Sequence, residues 1–316
     1  MSETFPPVSV VIPARPGQTE VKAVAASRQL DYPADRLEII VARGNQPSVQ
    51  RNAALREARG ELIYFLDDDS VPLAGNLHRA VPHFRGPEVQ MVGGPALCPP
   101  ESPALERIVA MVMGSWLAFG PSRARYQAVG PLRRTGEKEL ILCNLLARRS
   151  TLEQAGGFDE ALYPNEENAL MDAVQSQGGR LLYDPEMIVH RRPRRSLRAF
   201  VNMLMTYGRG RAEQFRLHPT PSSALNFVPP LFCLYLVLTP LLPAWCLWPW
   251  LGYGLALMGQ GTVLNGPAVF RICALPLVVL SHLFYGLGFW LGLFTKLERP
   301  ERPASGSVFL ERVKGL

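Results

Sequence analysis

The sequence predicts an α/β protein whose mostly parallel sheet has flanking helices and is followed by an α-helical membrane region. Apolar runs of about five residues, typical of buried parallel strands, alternate with segments that suit helices. The runs lie at residues 8–12, 37–41 and 62–66, and the helix-compatible segments at 19–30 and 48–59. Charged residues are frequent up to Arg216 and nearly absent from 224 to 295. This break separates the predicted soluble domain from the membrane region.

The bulk composition excludes several classes of protein. The 316 residues carry a net charge of +6, and the basic excess lies beside the apolar region, which favours a membrane surface over nucleic acid as a partner. Five cysteines without a CxxC spacing predict neither a disulfide framework nor a zinc site. Residues 1–7 lead directly into the first apolar run without a signal-like segment, so we expect the soluble part to remain in the cytosol.

Three aspartates, Asp67, Asp68 and Asp69, directly follow the third apolar run. Ligands of parallel α/β sheets bind beyond the carboxyl ends of the strands, which is where the triplet lies. Adjacent carboxylates repel one another unless a cation neutralises them, and alternation along an extended chain can turn Asp67 and Asp69 towards one cavity. Such oxygen ligands suit Mg²⁺ or Mn²⁺, with diphosphate oxygens completing the shell. A solvated acidic turn is the alternative, and the preceding strand favours the metal site.

Seven short motifs, in order, resemble those of the family 2 glycosyltransferases of GT-A fold. The motifs lie at residues 8–13, 38–41, 50–52, 65–69, 156–160, 166–167 and 189–190. Within this family, the sequence is most similar to the bacterial membrane-bound branch that builds exopolysaccharide or lipid-linked saccharides. The resemblance implies a Rossmann-like catalytic domain over residues 1–190, a nucleotide-sugar donor and a divalent metal cofactor.

The same resemblance implies roles for individual residues. Asp69 would bind the metal, with Asp67 supporting it or contacting the ribose of the donor. His190 resembles a histidine that some GT-A enzymes turn towards the metal, and an ordinary strand-end histidine is an equally good interpretation. The implied donor-binding residues are Pro13, Arg15, Arg51, Asn52, Asp67 and Asp68.

A second acidic motif, Glu166-Glu167, opens a predicted helix with Asn165 as its N-cap. Acids in a first helical turn favour the macrodipole and need no further explanation. In the family, however, an acidic pair at this place contacts the acceptor, and a carboxylate there can take the proton of the attacking hydroxyl. The resemblance makes Glu167 the first choice of base and Glu166 the second, with Asp172 a distant third. The reaction would proceed in one step with inversion.

Two departures from the family pattern affect the donor and the product. After the second strand the family carries aspartates that hold the nucleobase, whereas residues 42–45 read Ala-Arg-Gly-Asn here. The Gln-x-x-Arg-Trp motif of processive synthases is absent as well. The second departure favours transfer of a single sugar over polymerisation.

Residues 191–216 hold eight arginines and one acid, and their apolar residues form one helical stripe. The stripe comprises Leu197, Phe200, Val201, Leu204 and Met205. We expect a basic amphipathic helix in a membrane interface over residues 191–223. A helix packed on the catalytic domain is the alternative. The first arginines, Arg191, Arg192, Arg194 and Arg195, are predicted to hold acceptor phosphates and the bilayer.

Residues 224–295 are predicted to form transmembrane helices. Segments 228–250 and 268–294 are each long enough to cross a bilayer. Basic residues after the second segment predict a cytoplasmic tail over 296–316, hence an even number of crossings, with two preferred and three as the alternative. The catalytic domain would face the cytoplasm, on the inner membrane of a bacterium.

Together these patterns predict an inverting glycosyltransferase whose acceptor is a membrane-bound saccharide, carried on a polyprenyl diphosphate. Two other functions remain open. A nucleotidyltransferase would need a glycine-rich loop after the first strand, and residues 13–20 offer only Gly17. A catalytically degenerate nucleotide-sugar-binding module is favoured by the departure at residues 42–45.

Overall fold

The computed structural model describes residues 5–160, 162, 165–217, 219, 221–296 and 308–313. Their core is an eight-stranded sheet in the order β11-β2-β1-β3-β8-β5-β9-β7. Its strands are β1 (Val8–Ala14), β2 (Leu37–Arg43), β3 (Leu62–Leu66), β5 (Val89–Gly93), β7 (Arg133–Thr135), β8 (Asn144–Arg148), β9 (Arg180–Tyr183) and β11 (Phe309–Arg312). A second sheet of three strands comprises β4 (Val71–Pro72), β6 (Ala96–Leu97) and β10 (Val189–His190).

Five strands of the large sheet point the same way, because β2 and β3 run parallel to β1 and β5 runs parallel to β9, with β8 antiparallel between the two groups. Every residue of β1 and β3 is buried, as their uninterrupted apolar runs predicted. β8 begins at Asn144, and its pairing with both β3 and β5 satisfies its backbone.

Eleven α-helices are described. They are α1 (Lys22–Ser27), α2 (Pro47–Glu57), α3 (Asn76–Ala80), α4 (Ala104–Met113), α5 (Trp116–Phe119), α6 (Arg149–Gln154), α7 (Glu166–Ser176), α8 (Leu197–Leu217), α9 (Val228–Leu238), α10 (Trp248–Val263) and α11 (Ala268–Phe294). Short 3₁₀ turns connect several of them, at Ala34–Arg36, Val81–Arg85, Gly120–Arg125, Pro221–Phe227, Thr239–Leu241 and Ala244–Leu247. α2 begins with Pro47, whose missing N–H costs nothing at a first helical position.

The basic segment is an α-helix, and its apolar stripe packs inside the protein. Phe200 and Leu204 of α8 are buried in one cluster with residues of α4 and α11. Leu197, at the start of the stripe, remains exposed. The expectation that the whole stripe faces lipid is therefore wrong, because α11 offers the same residues an apolar partner within the chain.

Among the described residues, two helical segments are long and apolar enough to cross a membrane, Ser223–Leu241 and Ala268–Phe294. After them the chain returns to the catalytic sheet, where β11 pairs antiparallel with β2 along Phe309–Arg312. Arg312 donates to the Glu38 carboxylate of β2, and Arg43 of β2 pairs with Glu311 at 2.9 Å. A segment that the sequence placed in a tail thus forms an edge strand of the sheet.

Candidate active site

The acidic motifs line one cavity of about 1280 Å³ at the carboxyl ends of β1 and β3. Asp67, Asp68 and Asp69 form one side, and Glu166 and Glu167 at the start of α7 form the other. Pro13 and Arg15, at the end of β1, line the same space as predicted for donor-binding residues. The structure thereby brings together two motifs that are about a hundred residues apart in sequence.

Arg51 of α2 joins the two acidic motifs. Its Nη1 donates to Glu166 Oε1 at 2.9 Å and its Nη2 to Asp67 Oδ1 at 3.1 Å. The Arg51 side chain is only 7% exposed, so these two charge-assisted bonds operate in a poorly solvated place. The neighbouring Asn52 faces elsewhere and holds the turn at Phe158, donating to its carbonyl oxygen and accepting from its N–H. Arg51 is therefore placed to act in the site, and Asn52 to support the turn beside it.

Arg191 neutralises the aspartate triplet. Its Nη1 lies 3.0 Å from Asp67 Oδ2 and its Nε donates to Asp69 Oδ1 at 2.7 Å. Burial alone would raise the pKa of Asp67, but Arg191 and Arg51 together hold that pKa below its ordinary value. Asp68 turns aside and accepts a hydrogen bond from Gln18 Nε2 at 2.7 Å. Asp67 is thus held ionised, and Asp67 and Asp69 share one guanidinium.

Two carboxylates in this cavity, those of Asp67 and Asp69, are candidate metal ligands. Within the described residues no group of three or more His, Cys, Asp and Glu side chains could hold a metal ion. The Asp69 side chain is 43% exposed and faces the cavity, so it suits a cation whose remaining ligands come from a diphosphate. His190 lies on β10 beside Val71, and its buried Nδ1 has no hydrogen-bond partner among the described residues. The residues fit a hard divalent cation provided that Arg191 shares the two aspartates.

Glu166 and Glu167 differ in their surroundings. Glu166 is 3% exposed, and burial raises its pKa to about 7, with the Glu167 carboxylate adding to the rise and Arg51 opposing it. Glu167 lies within 4.0 Å of Arg125 Nη1 and 3.4 Å from Asn168 Nδ2. Asn165, the predicted N-cap, has a left-handed φ of 94°, and its Oδ1 accepts from the Asn168 side chain. Both glutamates line the cavity, the first from a buried ion pair and the second from a more accessible position.

Comparisons with known proteins identify the family of this chain. A family model described as glycosyltransferase like family 2 covers residues 1–205. The chain belongs to glycosyltransferase family 2. Two curated relatives, the pre-mycofactocin glycosyltransferases of Mycobacterium tuberculosis strains CDC 1551 and H37Rv, are each 27% identical over 190 residues, which is 57% of this chain. The chain spans 37% of the length of these relatives.

A solved structure shows the fold. The mannosyltransferase PcManGT from Pyrobaculum calidifontis, in complex with GDP-Man and Mn²⁺, superimposes with a TM-score of 0.56 at 16% identity. The match covers 92% of this chain and 88% of that one. The predicted GT-A fold of this glycosyltransferase is confirmed, and the structural likeness extends beyond the catalytic domain.

A third carboxylate network, which the sequence did not predict, connects the glycosyltransferase domain to its basic helix. Arg211 of α8 pairs with Glu137 at 3.0 Å, and Arg125 Nη2 donates to both the Glu137 backbone oxygen and Asn168 Oδ1 at 2.5 Å. Asp172 lies beside this network, accepting from Gln214 at 3.4 Å, and burial together with Glu137 raises its pKa to about 6. It does not line the cavity, which sets it apart from the two glutamates.

The four predicted acceptor arginines are separated by the structure. Arg191 belongs to the aspartate site described above, and Arg192 forms a bidentate pair with Glu106 of α4. Arg194 is exposed and lines the cavity, whereas Arg195 is exposed elsewhere. Of the four, Arg191 and Arg194 line the cavity, and Arg191 is already paired with two aspartates, so Arg194 has the position that an acceptor phosphate would require.

Proposed function

We propose that this chain is an inverting, metal-dependent glycosyltransferase that moves one sugar from a nucleotide-sugar donor to a saccharide carried by a membrane lipid diphosphate. One observation supports the proposal above the others. The cavity that holds the carboxylates continues to the apolar C-terminal region, where Leu225, Val228 and Pro229 form part of its wall. A single space lined by acids at one end and by apolar side chains at the other suits a polar donor and an amphiphilic acceptor.

In this proposal, different residues of the chain bind the donor, bind the cation and act as the base. Pro13 and Arg15 bind the nucleotide, Asp67 and Asp69 hold the cation, and Arg51 fixes Asp67 relative to Glu166. A bound Mg²⁺ or Mn²⁺ supplies Lewis-acid stabilisation of charge on the diphosphate. Glu167 accepts the proton of the acceptor hydroxyl as its oxygen bonds to the anomeric carbon. The bond from that carbon to the diphosphate oxygen breaks, the electron pair leaves with the nucleoside diphosphate, and the configuration inverts.

The acceptor is proposed from the wall of the cavity. Trp116 and Phe119 of α5 line the cavity together with residues of α9 and α11, and Arg194 and the acids line it as well. A polyprenyl diphosphate combines an apolar chain, two phosphates and a sugar, which correspond to the apolar, basic and acidic groups of this lining. The products serve surface polysaccharide synthesis in this proposal.

The proposal includes attachment to a membrane with the catalytic domain on its cytoplasmic face, in a bacterial inner membrane. Because β11 pairs with β2, the chain enters and leaves the apolar region on the same side. This pairing supports an even number of crossings, two or none. The basic residues beside the apolar helices support the cytoplasmic side.

The decisive experiment incubates the purified full chain with a panel of nucleotide sugars, with and without membrane lipid extract. Transfer of label to the lipid fraction, lost on addition of EDTA and restored by Mn²⁺, is the expected result. At the Mn²⁺ concentration that half-saturates the wild type, Asp69→Ala and Glu167→Gln should both strongly lower the transfer, whereas Glu153→Gln, an exposed glutamate of α6, should keep it. Wild-type turnover in both site variants would overturn the assignment of the site.

One other function has an observation in its favour. The Arg191 guanidinium forms ion pairs with Asp67 and Asp69. Because these carboxylates already have a cationic partner, the arrangement suits a degenerate module that binds a nucleotide sugar without a metal. Such a module would bind the donor in the presence of EDTA and release no sugar. A donor that binds only with metal and is then hydrolysed or transferred excludes it.

A further inference from the structure

We infer that α9, α10 and α11 lie within one leaflet of an anionic bilayer and that none of them crosses it. This inference rests on the membrane attachment proposed above and selects no crossings over two. It commits to one partner, the cytoplasmic leaflet of a membrane with negatively charged headgroups. The observations concern the packing of α9 and α11, the length of α10, and the charges along α8.

The two ends of α11 contact the same soluble body. At its start, the Arg107 guanidinium of α4 lies 5.1 Å from the centre of the Phe270 ring. At its end, Arg216 of α8 donates to the carbonyl oxygens of Gly292 at 3.0 Å and Thr295 at 2.6 Å. A helix of 27 residues is about 40 Å long, so a crossing would separate these two ends by the whole hydrocarbon core of about 30 Å. Both arginines would then have to lie on opposite sides of the membrane.

Both arginines are tied to the catalytic domain. α4, which carries Arg107, is joined to the end of β10 through the ion pair between Glu106 and Arg192. α8, which carries Arg216, is joined to the catalytic domain through the ion pair between Arg211 and Glu137. One soluble body therefore holds α11 at both ends, which places the helix along a membrane surface.

The middle of α11 is held against α8 by close backbone contact. A Cβ at Gly288 would lie 2.2 Å from the Met205 carbonyl oxygen, and one at Gly208 would lie 2.0 Å from that of Tyr285. Only glycine permits such an approach, so the two helices run together over this stretch. α8 is therefore placed at the same depth as α11.

Charges along α8 exclude a position across the hydrocarbon core. Arg198, Arg209 and Arg216 are exposed and span about 27 Å along the helix. If α8 followed α11 through a bilayer, Arg209 would enter the hydrocarbon, where arginine is costly. In the plane of the membrane all three can reach anionic headgroups at one level. This charge complementarity is the reason for naming an anionic leaflet.

α9 and α10 are placed by different observations. α10 has 16 residues, about 24 Å, whereas a crossing needs about 30 Å. α9 belongs to the longer apolar stretch Ser223–Leu241, and its packing on α11 sets its position: a Cβ at Gly286 would lie 2.6 Å from the Pro229 carbonyl oxygen, and Trp290 donates to that of Pro230 at 3.0 Å. The exposed side chains of these helices and of the turn Ala244–Leu247 are largely apolar and include three tryptophans, which favour the membrane interface. The exposed apolar residues of this surface include Leu231, Leu234, Val237, Trp245, Trp248, Trp250, Leu251, Leu255, Met258, Val269, Ile272, Leu287, Leu291 and Phe294.

The arrangement has a consequence for the acceptor. Leu225 and Val228, which line the cavity, are themselves 58% and 60% exposed beside this surface. With the helices lying in one leaflet, a lipid of that leaflet enters the cavity sideways without leaving the membrane. The acidic end of the cavity then remains on the water side, where the donor is soluble.

The test starts from the full chain in which Cys98, Cys246 and Cys273 are changed to alanine. One residue of α11, Val269, Leu287 or Phe294, is then changed to cysteine. That cysteine carries an environment-sensitive nitrobenzoxadiazole label. All three positions are exposed. The protein is reconstituted into phosphatidylglycerol-containing vesicles. A control label at Arg36, which is exposed on the catalytic domain, reports the fraction of molecules facing outwards. Dithionite added outside bleaches only labels on the outer side.

The in-plane arrangement predicts that all three labels on α11 bleach by the same fraction as the Arg36 label and are quenched at one shallow depth by doxyl lipids. A crossing helix predicts complementary bleached fractions at Val269 and Phe294, and this result would overturn the inference while leaving the membrane attachment intact. Failure to associate with any vesicle would overturn both. The bleaching and quenching measurements require no sugar transfer, so neither outcome depends on the proposed activity.

A charge variant tests the partner. Arg198→Gln should weaken binding to anionic vesicles about fivefold, the effect of one basic residue near such a surface. Arg56→Gln, on an exposed position of α2, is the matched control and should not change it. Equal binding of the Arg198 variant and the control to anionic vesicles would overturn the choice of an anionic leaflet.

Discussion

The two ends of the cavity are built in different ways. The acidic end consists of side chains at the end of a strand and the start of a helix, tied by ion pairs of Arg51 and Arg191 at 2.7–3.1 Å. The apolar end consists of helices that are held by glycine contacts and expose large apolar side chains on their other face. The first end fixes charges at defined positions, which chemistry needs. The second end offers an apolar surface whose contacts are not directional, which suits a lipid.

The largest expected effect is at the acidic end. Glu167→Gln removes the proposed base and should lower kcat by about 10³-fold, within the range typical of general-base groups. Thermal unfolding should change little, because the Glu167 side chain is only partly buried, 17% exposed. If only the KM for the acceptor rises and kcat is unchanged, Glu167 acts in binding and not as the base. The acidic end would then not be distinguished from the apolar end by its chemistry.

Arg51→Met should destabilise the fold by about 3 kcal/mol, because it leaves the buried Glu166 carboxylate without its cation. The measurement is equilibrium unfolding near pH 8, where Glu166 is ionised. Adding Glu166→Gln to the same chain should recover most of the loss, since a neutral amide needs no counterion. Additive losses in the double variant would show that the ion pair is not the cause.

Asp69→Ala should raise the concentration of Mn²⁺ needed for half-maximal activity by about 10- to 100-fold. Asp68→Ala is its neighbour-matched control, because Asp68 bonds to Gln18 and not to Arg191. Activity titrations with Mn²⁺ give both values. Equal shifts in the two variants would remove the proposed distinction within the triplet.

A change at the apolar end should act on one substrate only. Val228→Asp should raise the KM for a lipid acceptor about tenfold, the cost of one charge in an apolar pocket, and leave the KM for the donor unchanged. Val237→Asp, equally apolar and exposed away from the cavity lining, serves as the control for altered membrane binding. A rise in the donor KM would show that the two ends are not separate.

The smallest expected effect is a shift in pH dependence. The pKa of Glu166 is raised to about 7 by burial and by its neighbour Glu167, so protonation below that pH gives the pair an acid limb in kcat/KM. In Glu166→Gln the group with the raised pKa and its like charge beside Glu167 are absent, so the acid limb should move to lower pH. A limb that disappears in this variant would make Glu166 the base.

Sequence reasoning reached the acidic end because its residues follow local rules. A charged triplet after a buried strand and a pair of acids at a helix start are readable in short windows, and the structure places both in one cavity. It missed Arg125 and Glu137, and it assigned Arg191 to the acceptor phosphates, whereas the structure pairs Arg191 with Asp67 and Asp69. An arginine contributes to such a network only through partners distant in sequence, and Arg191 lies 122 residues from Asp69.

The sequence by itself determined the buried strands, the break between charged and apolar regions and the positions of the acids, because each depends on periodicity or composition over a few residues. Tertiary structure alone decided where the apolar stripe of α8 packs, that β11 returns to β2, and which guanidinium neutralises which carboxylate. The physical reason is that burial and ion pairing depend on what lies opposite a side chain. A sequence window contains the side chain and omits its partner.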